Sequence, residues 1–201
     1  EQKKAQDLLS ESSEHYRKRE YIEAELKLKR LIRKYDVIYN KQNRSMLRDI
    51  YFLLGRTGLK MNNKDDAIYY FKKAHETENT HSDTLLELGD IFFARERYQM
   101  ALSYYRKAFE LSKDIRTYGN IGICLINLNM YDDALGILKE VYTKEPDNLN
   151  AIYNLFICYH YLDNTGKAVE FGEMLIEKAP ENSEISKNAR NLINIIKDGE
   201  D

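Results

Sequence analysis

An alanine recurs along the chain at nearly constant intervals, each time inside a segment with the same apolar pattern. The segments are YIEAELKL, KDDAIYYF, YQMALSYY, YDDALGIL and TGKAVEFG, which align on Ala24, Ala67, Ala101, Ala134 and Ala168. Apart from a longer first interval, successive alanines lie about 34 residues apart. A period of this length predicts repeated units of one supersecondary structure, which stack and bury a shared core.

Each unit has the pattern of two amphipathic helices joined by a short turn. In the third unit, two sets of residues follow the i, i+3, i+4, i+7 spacing of one helix face: Leu85, Leu88, Gly89 and Phe92, then Ala101, Tyr105 and Ala108. The small residues Gly89 and Ala101 allow two helices to approach closely. Because the connection between them is short, the two helices should be antiparallel neighbours. The pattern therefore predicts an all-α chain of helical hairpins.

Further residue types recur at fixed offsets from the alanines. The position twelve residues before each alanine holds Ser12, Gly55, Gly89, Gly122 and Phe156. The position four residues after it holds Leu28, Phe71, Tyr105, Leu138 and Gly172. A tyrosine precedes the alanine at Tyr21, Tyr98 and Tyr131, and the two prolines, Pro146 and Pro180, follow it at one common distance. This combination of small, aromatic, alanine and proline positions resembles the tetratricopeptide repeat (TPR) family.

The resemblance implies a right-handed α-solenoid of about five helical hairpins with a C-terminal capping helix. We expect a single domain over residues 1–201, with units at roughly 5–40, 48–80, 82–114, 115–147 and 149–181. The longer first interval predicts a second helix that continues to about Asn40. Phe156 and Gly172 reverse the family's small and large positions, which predicts adjusted packing in the fifth unit. The capping helix, residues 183–197, has an apolar stripe that consists of Ile185, Ala189, Leu192 and Ile196.

A second stripe on the first helix of each unit points away from the predicted core. The resemblance implies that first helices line a concave groove, so this stripe is the candidate site for a partner protein. Its members are Tyr16, Phe52, Arg56, Leu59, Leu86, Asp90, Phe93, Arg116, Ile123, Ile126, Tyr153, Ile157, His160 and Tyr161. An apolar strip with a charged fringe suits an amphipathic helix or an extended segment. The alternative is that these side chains pack between neighbouring first helices.

Some TPR proteins hold the terminal carboxylate of a chaperone peptide with lysine, arginine and asparagine at fixed groove positions. The position of the first such lysine is occupied, in successive units, by Leu9, Phe52, Leu86, Gly119 and Tyr153. Adjacent units do not combine the required residues. We therefore expect no chaperone-tail site.

The charge balance and the absence of reactive motifs exclude several classes of function. The chain has 31 basic and 33 acidic residues and a net charge of −2. An RNA-binding helical repeat would need a basic inner wall, so it is the least supported binding alternative. The basic run KLKRLIRK alternates with apolar residues at helical spacing, and we expect no direct membrane contact. Because no catalytic set, phosphate loop or zinc spacing occurs, we expect no enzymatic activity, cofactor or metal.

The leading hypothesis is a protein–protein interaction module, acting as an adaptor, scaffold or assembly factor. A second hypothesis is the interaction region of a larger membrane-anchored or enzymatic protein, because the sequence begins at Glu1 without a methionine. The apolar strip could also bury itself in a homodimer. The location expected by default is the cytoplasm. A membrane-tethered or periplasmic location is expected if an N-terminal anchor has been removed.

Overall fold

The computed structural model describes residues 2–35, 44–181 and 183–198. Within these ranges the regular elements are all α-helices: α1 Gln2–Arg17, α2 Tyr21–Tyr35, α3 Arg44–Lys60, α4 Lys64–Thr77, α5 Ser82–Phe93, α6 Tyr98–Ser112, α7 Ile115–Asn127, α8 Tyr131–Lys144, α9 Leu149–Tyr161, α10 Thr165–Lys178 and α11 Glu184–Asp198. The predicted extension of α2 to about Asn40 falls outside the described residues. None of the described helices has both the length and the apolar composition of a membrane span.

The chain divides into two compact units, residues 1–95 and 96–201, and the boundary falls in the turn between α5 and α6. In the first unit, α1 packs against α2, α3 against α4, and α5 against α4. In the second unit, α6 packs against α7, α7 against α8, α9 against α10, and α11 against α10. The pairs α1–α2, α3–α4, α7–α8 and α9–α10 are thus the predicted hairpins. The single domain over residues 1–201 stays a prediction.

Small residues set the close approach of the two helices within a hairpin. A Cβ atom added at Gly55 would lie 2.6 Å from the ring of Phe71, which is fully buried. A Cβ atom added at Gly122 would lie 2.9 Å from Leu138, which is also buried. Each glycine on a first helix therefore leaves the room that a large side chain on the second helix occupies, as the recurring pattern predicted.

The fifth hairpin exchanges these roles. Its large residue, Phe156, lies on the first helix, and its glycine, Gly172, lies on the second. A Cβ atom at Gly172 would lie 3.2 Å from the ring of Phe156 and 2.8 Å from Ile193 of α11. The large side chain between the two helices therefore comes from the first helix instead of the second, and this exchange is how the packing adapts to the reversal.

The capping helix α11 is present, but its buried stripe differs from the prediction. The buried residues are Ser186, Ala189, Ile193 and Ile196, whereas Ile185 and Leu192 are half-buried. Ala189 and Ile196 are buried as predicted, but Ile193 rather than Leu192 enters the space beside Gly172, so the buried face is turned by less than one residue step of about 100°. The sequence pattern of α11 alone does not contain this information.

A left-handed residue lies in each turn between a first and a second helix. The residues are Arg19, Asn62, Glu96, Asn129 and Asp163, with φ angles of 64°, 59°, 57°, 59° and 54°. Each stands at the same offset before its repeat alanine. A single residue in this region reverses the chain direction within a short turn, and the repeat therefore has a conserved backbone geometry without a glycine.

Candidate functional site

Side-chain caps determine where α7 and α9 begin, and so where their residues face. The Oδ2 atom of Asp114 accepts hydrogen bonds from the backbone N–H and the hydroxyl of Thr117, both at 2.9 Å. Burial raises the pKa of Asp114, but these two hydrogen bonds, together with the charge and the backbone N–H of Arg116, outweigh burial and hold the pKa below its ordinary value. The Oδ1 atom of Asn148 accepts from the N–H of Ala151 at 3.1 Å. Both helices therefore have a defined N-terminus.

The first unit carries half of the predicted site residues on its first helices. They are Tyr16 on α1, Phe52, Arg56 and Leu59 on α3, and Leu86, Asp90 and Phe93 on α5, and together they are named the α1–α3–α5 face. The apolar members and Tyr16 are half-buried, whereas Arg56 and Asp90 are exposed. The apolar side chains are thus neither fully covered nor fully free.

Arg56 connects the three helices of this face. Its guanidinium lies 5.5 Å from the centroid of the Tyr16 ring, and its Nε atom lies 3.7 Å from Glu87 Oε1. Burial raises the pKa of Glu87, Arg56 partly counteracts this effect, and the charges of Asp90 and Asp83 raise the pKa further. The sequence prediction did not include Glu87. It contributes a third charge beside Arg56 and Asp90.

Phe52 also serves the core. Its ring centroid lies 5.6 Å from that of Phe71 and 4.9 Å from that of His81. The alternative interpretation, packing within the repeat array, therefore describes part of what this residue does. Tyr16 is similarly engaged, since its ring lies 5.6 Å from that of Tyr21.

The second unit carries the other half of the predicted site. These residues are Arg116, Ile123 and Ile126 on α7 and Tyr153, Ile157, His160 and Tyr161 on α9, and together they are named the α7–α9 face. Arg116 and Tyr161 are exposed and the others are half-buried. The Tyr161 ring, 56% exposed, stacks on Tyr131 with centroids 4.6 Å apart and planes 7° apart. His160 lies beside it, with a centroid separation of 5.2 Å.

A small cavity of about 80 Å³ opens beside Gly119 on α7. The buried residues Leu138 and Val141 of α8 form part of its lining. The amide side chains of Asn120 and Asn154, which are half-buried, line it from α7 and α9. Predicted site residues Arg116 and Ile123 line it as well.

The sequence prediction did not include Gly119, Asn120 or Asn154 among the site residues. Two signals pointed to them. Gly119 is the one small residue in a column that holds large residues in the other units, and the two asparagines occupy equivalent positions on successive first helices. What the sequence could not supply was the cavity itself, because it depends on how α7, α8 and α9 pack.

Comparison with known proteins identifies the family. Residues 60–141 match the family model described as anaphase-promoting complex, cyclosome, subunit 3, and residues 125–190 match the tetratricopeptide repeat model. The chain contains tetratricopeptide repeats. No curated protein matches this TPR chain in sequence.

Solved structures are similar to the TPR chain over most of its length. YrrB, described as a TPR protein with an unusual peptide-binding site, is 23% identical with a TM-score of 0.77, covering 92% of this chain and 90% of YrrB. A MamA structure is 17% identical with a TM-score of 0.75, covering 89% and 93%. MamA from residue 41 to its end, from Desulfovibrio magneticus RS-1, is 21% identical with a TM-score of 0.69, covering 75% and 85%. The predicted fold class, an all-α solenoid of TPR hairpins, is thereby confirmed.

Proposed function

We propose that this TPR chain binds another protein, and that the α1–α3–α5 face and the α7–α9 face make the contact. The observation that carries the proposal is a difference in burial along the same helices. On α5, Leu85 and Leu88 of the core stripe are buried, whereas Leu86 and Phe93 of the second stripe are half-buried. Large apolar side chains that the core does not fully cover are those that gain most from a partner.

The aromatic stack on α9 supports this function. Tyr161 is held against Tyr131 by ring stacking, so its orientation is defined before a partner arrives. An ordered aromatic side chain loses little conformational entropy on binding and offers both apolar area and a hydroxyl group. Such residues dominate the binding energy of many protein interfaces.

The charges of the first unit favour a protein over a nucleic acid as the ligand. Glu87 and Asp90 lie on α5 beside Arg56, and the pKa of Glu87 is raised by burial and by its acidic neighbours. A phosphate backbone would be repelled by these carboxylates. A partner segment with both apolar and basic groups fits this face better. Since YrrB, a similar structure, is described as having a peptide-binding site, a peptide segment is the class of ligand we propose, with an adaptor or scaffold role and no catalytic step.

The test compares variants of the two faces with a matched variant on a second helix. The intact chain, Phe93→Asp, Tyr153→Asp and the control Tyr69→Asp are immobilised and exposed to an extract of the organism that encodes the protein. Tyr69 is 55% exposed on α4 and belongs to neither face. We expect a captured protein that the wild type and the control retain and that a face variant loses.

Folding and self-association are measured on the same variants. Far-ultraviolet circular dichroism establishes that each variant is folded, and size-exclusion chromatography gives its oligomeric state. Phe52 is not used, because its replacement would also remove the ring contact with Phe71. If all folded variants capture the same proteins, the proposal is wrong. If Tyr153→Asp converts a dimer into a monomer, the partner at the α7–α9 face is a second copy of the chain.

A further inference from the structure

We propose that Tyr161 and Asp132 bind an arginine side chain of a partner protein, at the turns where α8 begins and α9 ends. The guanidinium group stacks on the open face of the Tyr161 ring and donates hydrogen bonds to the carboxylate of Asp132. The inference rests on the proposed function and specifies one side chain of the partner.

The stack of Tyr161 on Tyr131 provides an aromatic surface that is already in place. The ring planes are 7° apart and the centroids 4.6 Å apart, so Tyr131 covers one face of Tyr161. Because 56% of Tyr161 is exposed, the opposite face of its ring is open to solvent. The face of a tyrosine ring attracts cations, and a ring held by stacking loses little conformational freedom when a cation binds.

The chain supplies cations to other aromatic rings but none to this one. A lysine or arginine lies 5.2–5.6 Å from a ring centroid in the pairs Arg56–Tyr16, Lys113–Phe109 and Lys139–Tyr159. In the part of the chain that the structure describes, no such cation lies over Tyr131 or Tyr161. The segments that carry the two rings, residues 127–138 and 161–166, contain three aspartates and neither lysine nor arginine. The charge of this surface is therefore complementary to a basic side chain of a partner.

An earlier pair of repeats contains the same arrangement with an arginine of the chain itself. Asp65 and Arg95 lie two and six residues before the alanines of the second and third repeats. Nη2 of Arg95 donates a hydrogen bond to Oδ1 of Asp65 at 2.9 Å. The same two positions in the fourth and fifth repeats hold Asp132 and Leu162. The carboxylate of Asp132 is thus retained without its arginine, and among residues 2–35, 44–181 and 183–198 it has neither an ion pair nor a hydrogen bond.

The repeat geometry places Asp132 beside the aromatic stack. Asp132 follows Tyr131 directly, in the first turn of α8. The residues at the equivalent positions of the first and second repeats line one cavity; they are Tyr21, Ile22 and Lys60. Because the turns of these repeats share a left-handed residue at one offset, Tyr131, Asp132 and Tyr161 should surround a corresponding space.

The combination of a ring and a carboxylate selects arginine over lysine. A guanidinium group is planar, so it can stack on a ring and direct two N–H groups at a carboxylate at the same time, whereas an ammonium group is a point charge. The aromatic half of the site is specific to this end of the chain. At the position of Tyr161 the other repeats carry Arg17, Lys60, Ala94 and Asn127.

The test selects peptides on the full chain and then supplies the arginine from the chain itself. A displayed library of random linear peptides is selected on the wild type, and each enriched arginine is replaced in synthetic peptides by lysine or by its uncharged isostere citrulline. Leu162→Arg introduces an arginine at the position equivalent to Arg95, where it can pair with Asp132 and occupy the site.

Leu128→Arg is the matched control for this variant. Leu128 and Leu162 are the C-cap residues of α7 and α9, respectively, and both are half-buried. An arginine at position 128 finds no equivalent carboxylate, because Gln99 stands at the position that corresponds to Asp132.

The expected result is a set of peptides that share an arginine. Their affinity, measured by fluorescence anisotropy, should fall about tenfold or more with Leu162→Arg or with citrulline, and stay unchanged with Leu128→Arg. Tyr161→Ala and Asp132→Asn should each weaken binding about threefold to tenfold, whereas Glu110→Gln, an exposed charge-matched control on α6, should not. Lysine should bind about threefold to tenfold more weakly than arginine. The citrulline peptide should not distinguish Asp132→Asn from the wild type, because its charge is already absent.

Three outcomes would overturn the inference. They are a selection that enriches no arginine, equal affinity of Leu162→Arg and the wild type for an arginine peptide, and equal affinity for the arginine and lysine peptides. Selected peptides that ignore Leu162→Arg but are lost with Tyr153→Asp would leave the proposed function intact and refute only this site. Thermal unfolding shows whether both arginine variants are folded, and if Leu162→Arg is not, Tyr161→Ala and Asp132→Asn decide the question.

Discussion

Replacement of Gly55 by alanine should destabilise the protein, although alanine is the better helix former. The added Cβ would lie 2.6 Å from Cδ1 and Cε1 of Phe71 and 2.8 Å from Cζ. Phe71 is fully buried and packs against Phe52, so its ring cannot move away without displacing its neighbours. Overpacking of this kind costs about 1–3 kcal/mol, and the gain in helix propensity returns about 1 kcal/mol. The net loss in the free energy of unfolding should be about 1 kcal/mol.

Gly136→Ala provides the comparison, since this glycine lies in α8, is exposed and has no atom within 4 Å of an added Cβ. The same substitution there should stabilise the protein by about 0.5–1 kcal/mol. The two variants should therefore differ in sign, and by about 2 kcal/mol in total. Urea unfolding followed by circular dichroism measures both, and the whole transition is compared because the two compact units can unfold in separate steps.

A double variant isolates the cause. Phe71→Leu removes ring atoms that the new Cβ would contact, so Gly55→Ala should cost less in the Phe71→Leu background than in the wild type. A coupling of about 1 kcal/mol is expected for two residues in direct contact. If Gly55→Ala stabilises the protein as much as Gly136→Ala does, the close approach of α3 and α4 at Gly55 is not what the structure indicates.

Three further predictions concern a cap, a thiol and a turn. Asp114→Ala should lower the free energy of unfolding by about 1 kcal/mol at neutral pH, because α7 loses its cap. Since the folded pKa of Asp114 is lowered, the stabilisation is present above the unfolded pKa of about 3.9 and is lost as the pH falls through the folded pKa. A stability difference from the wild type that persists in urea titrations at still lower pH would contradict this. Burial raises the pKa of the Cys158 thiol to about 12, and Cys124 is also buried. Neither cysteine should therefore react with a thiol reagent at pH 8 until urea unfolds the protein. Labelling of either cysteine in the folded protein would show that it is not buried. The backbone at Arg19 is left-handed, with a φ angle of 64°. Arg19→Gly should therefore raise the free energy of unfolding by up to about 1 kcal/mol, and Arg19→Val should lower it. Equal stability of the two variants in urea would rule out backbone strain at this turn.

The fold was predictable at positions where only one structural role accounts for the residue type, such as burial for the repeat alanines. The repeat alanines are all fully buried, as their recurrence implied, and α8 and α10 end at Lys144 and Lys178, shortly before the two prolines. α3 includes residues 44–47, and the buried Met46 and Leu47 extend the packed surface of the helix.

The candidate site was predictable as a set of positions but not as a set of contacts. Helical spacing places Leu86 and Phe93 off the core stripe, since angles around one helix follow from the sequence, and both side chains are half-buried in the structure. The approach of Arg56 to Tyr16 and Glu87 joins three different helices, and no spacing within one helix encodes it. The partner-binding role of these residues stays a prediction.

The sequence by itself determined which segments are helical, which of their faces are apolar and where small residues leave room for large ones. These properties follow from local periodicity and side-chain volume, and each can be evaluated one helix at a time. Only the tertiary structure decided that Ile193 lies on the buried face of α11, that Phe156 and Gly172 exchange the large and small positions, and that a cavity opens beside Gly119. Each of these depends on the distance between helices, and that distance is set by all the side chains that must fill the same space.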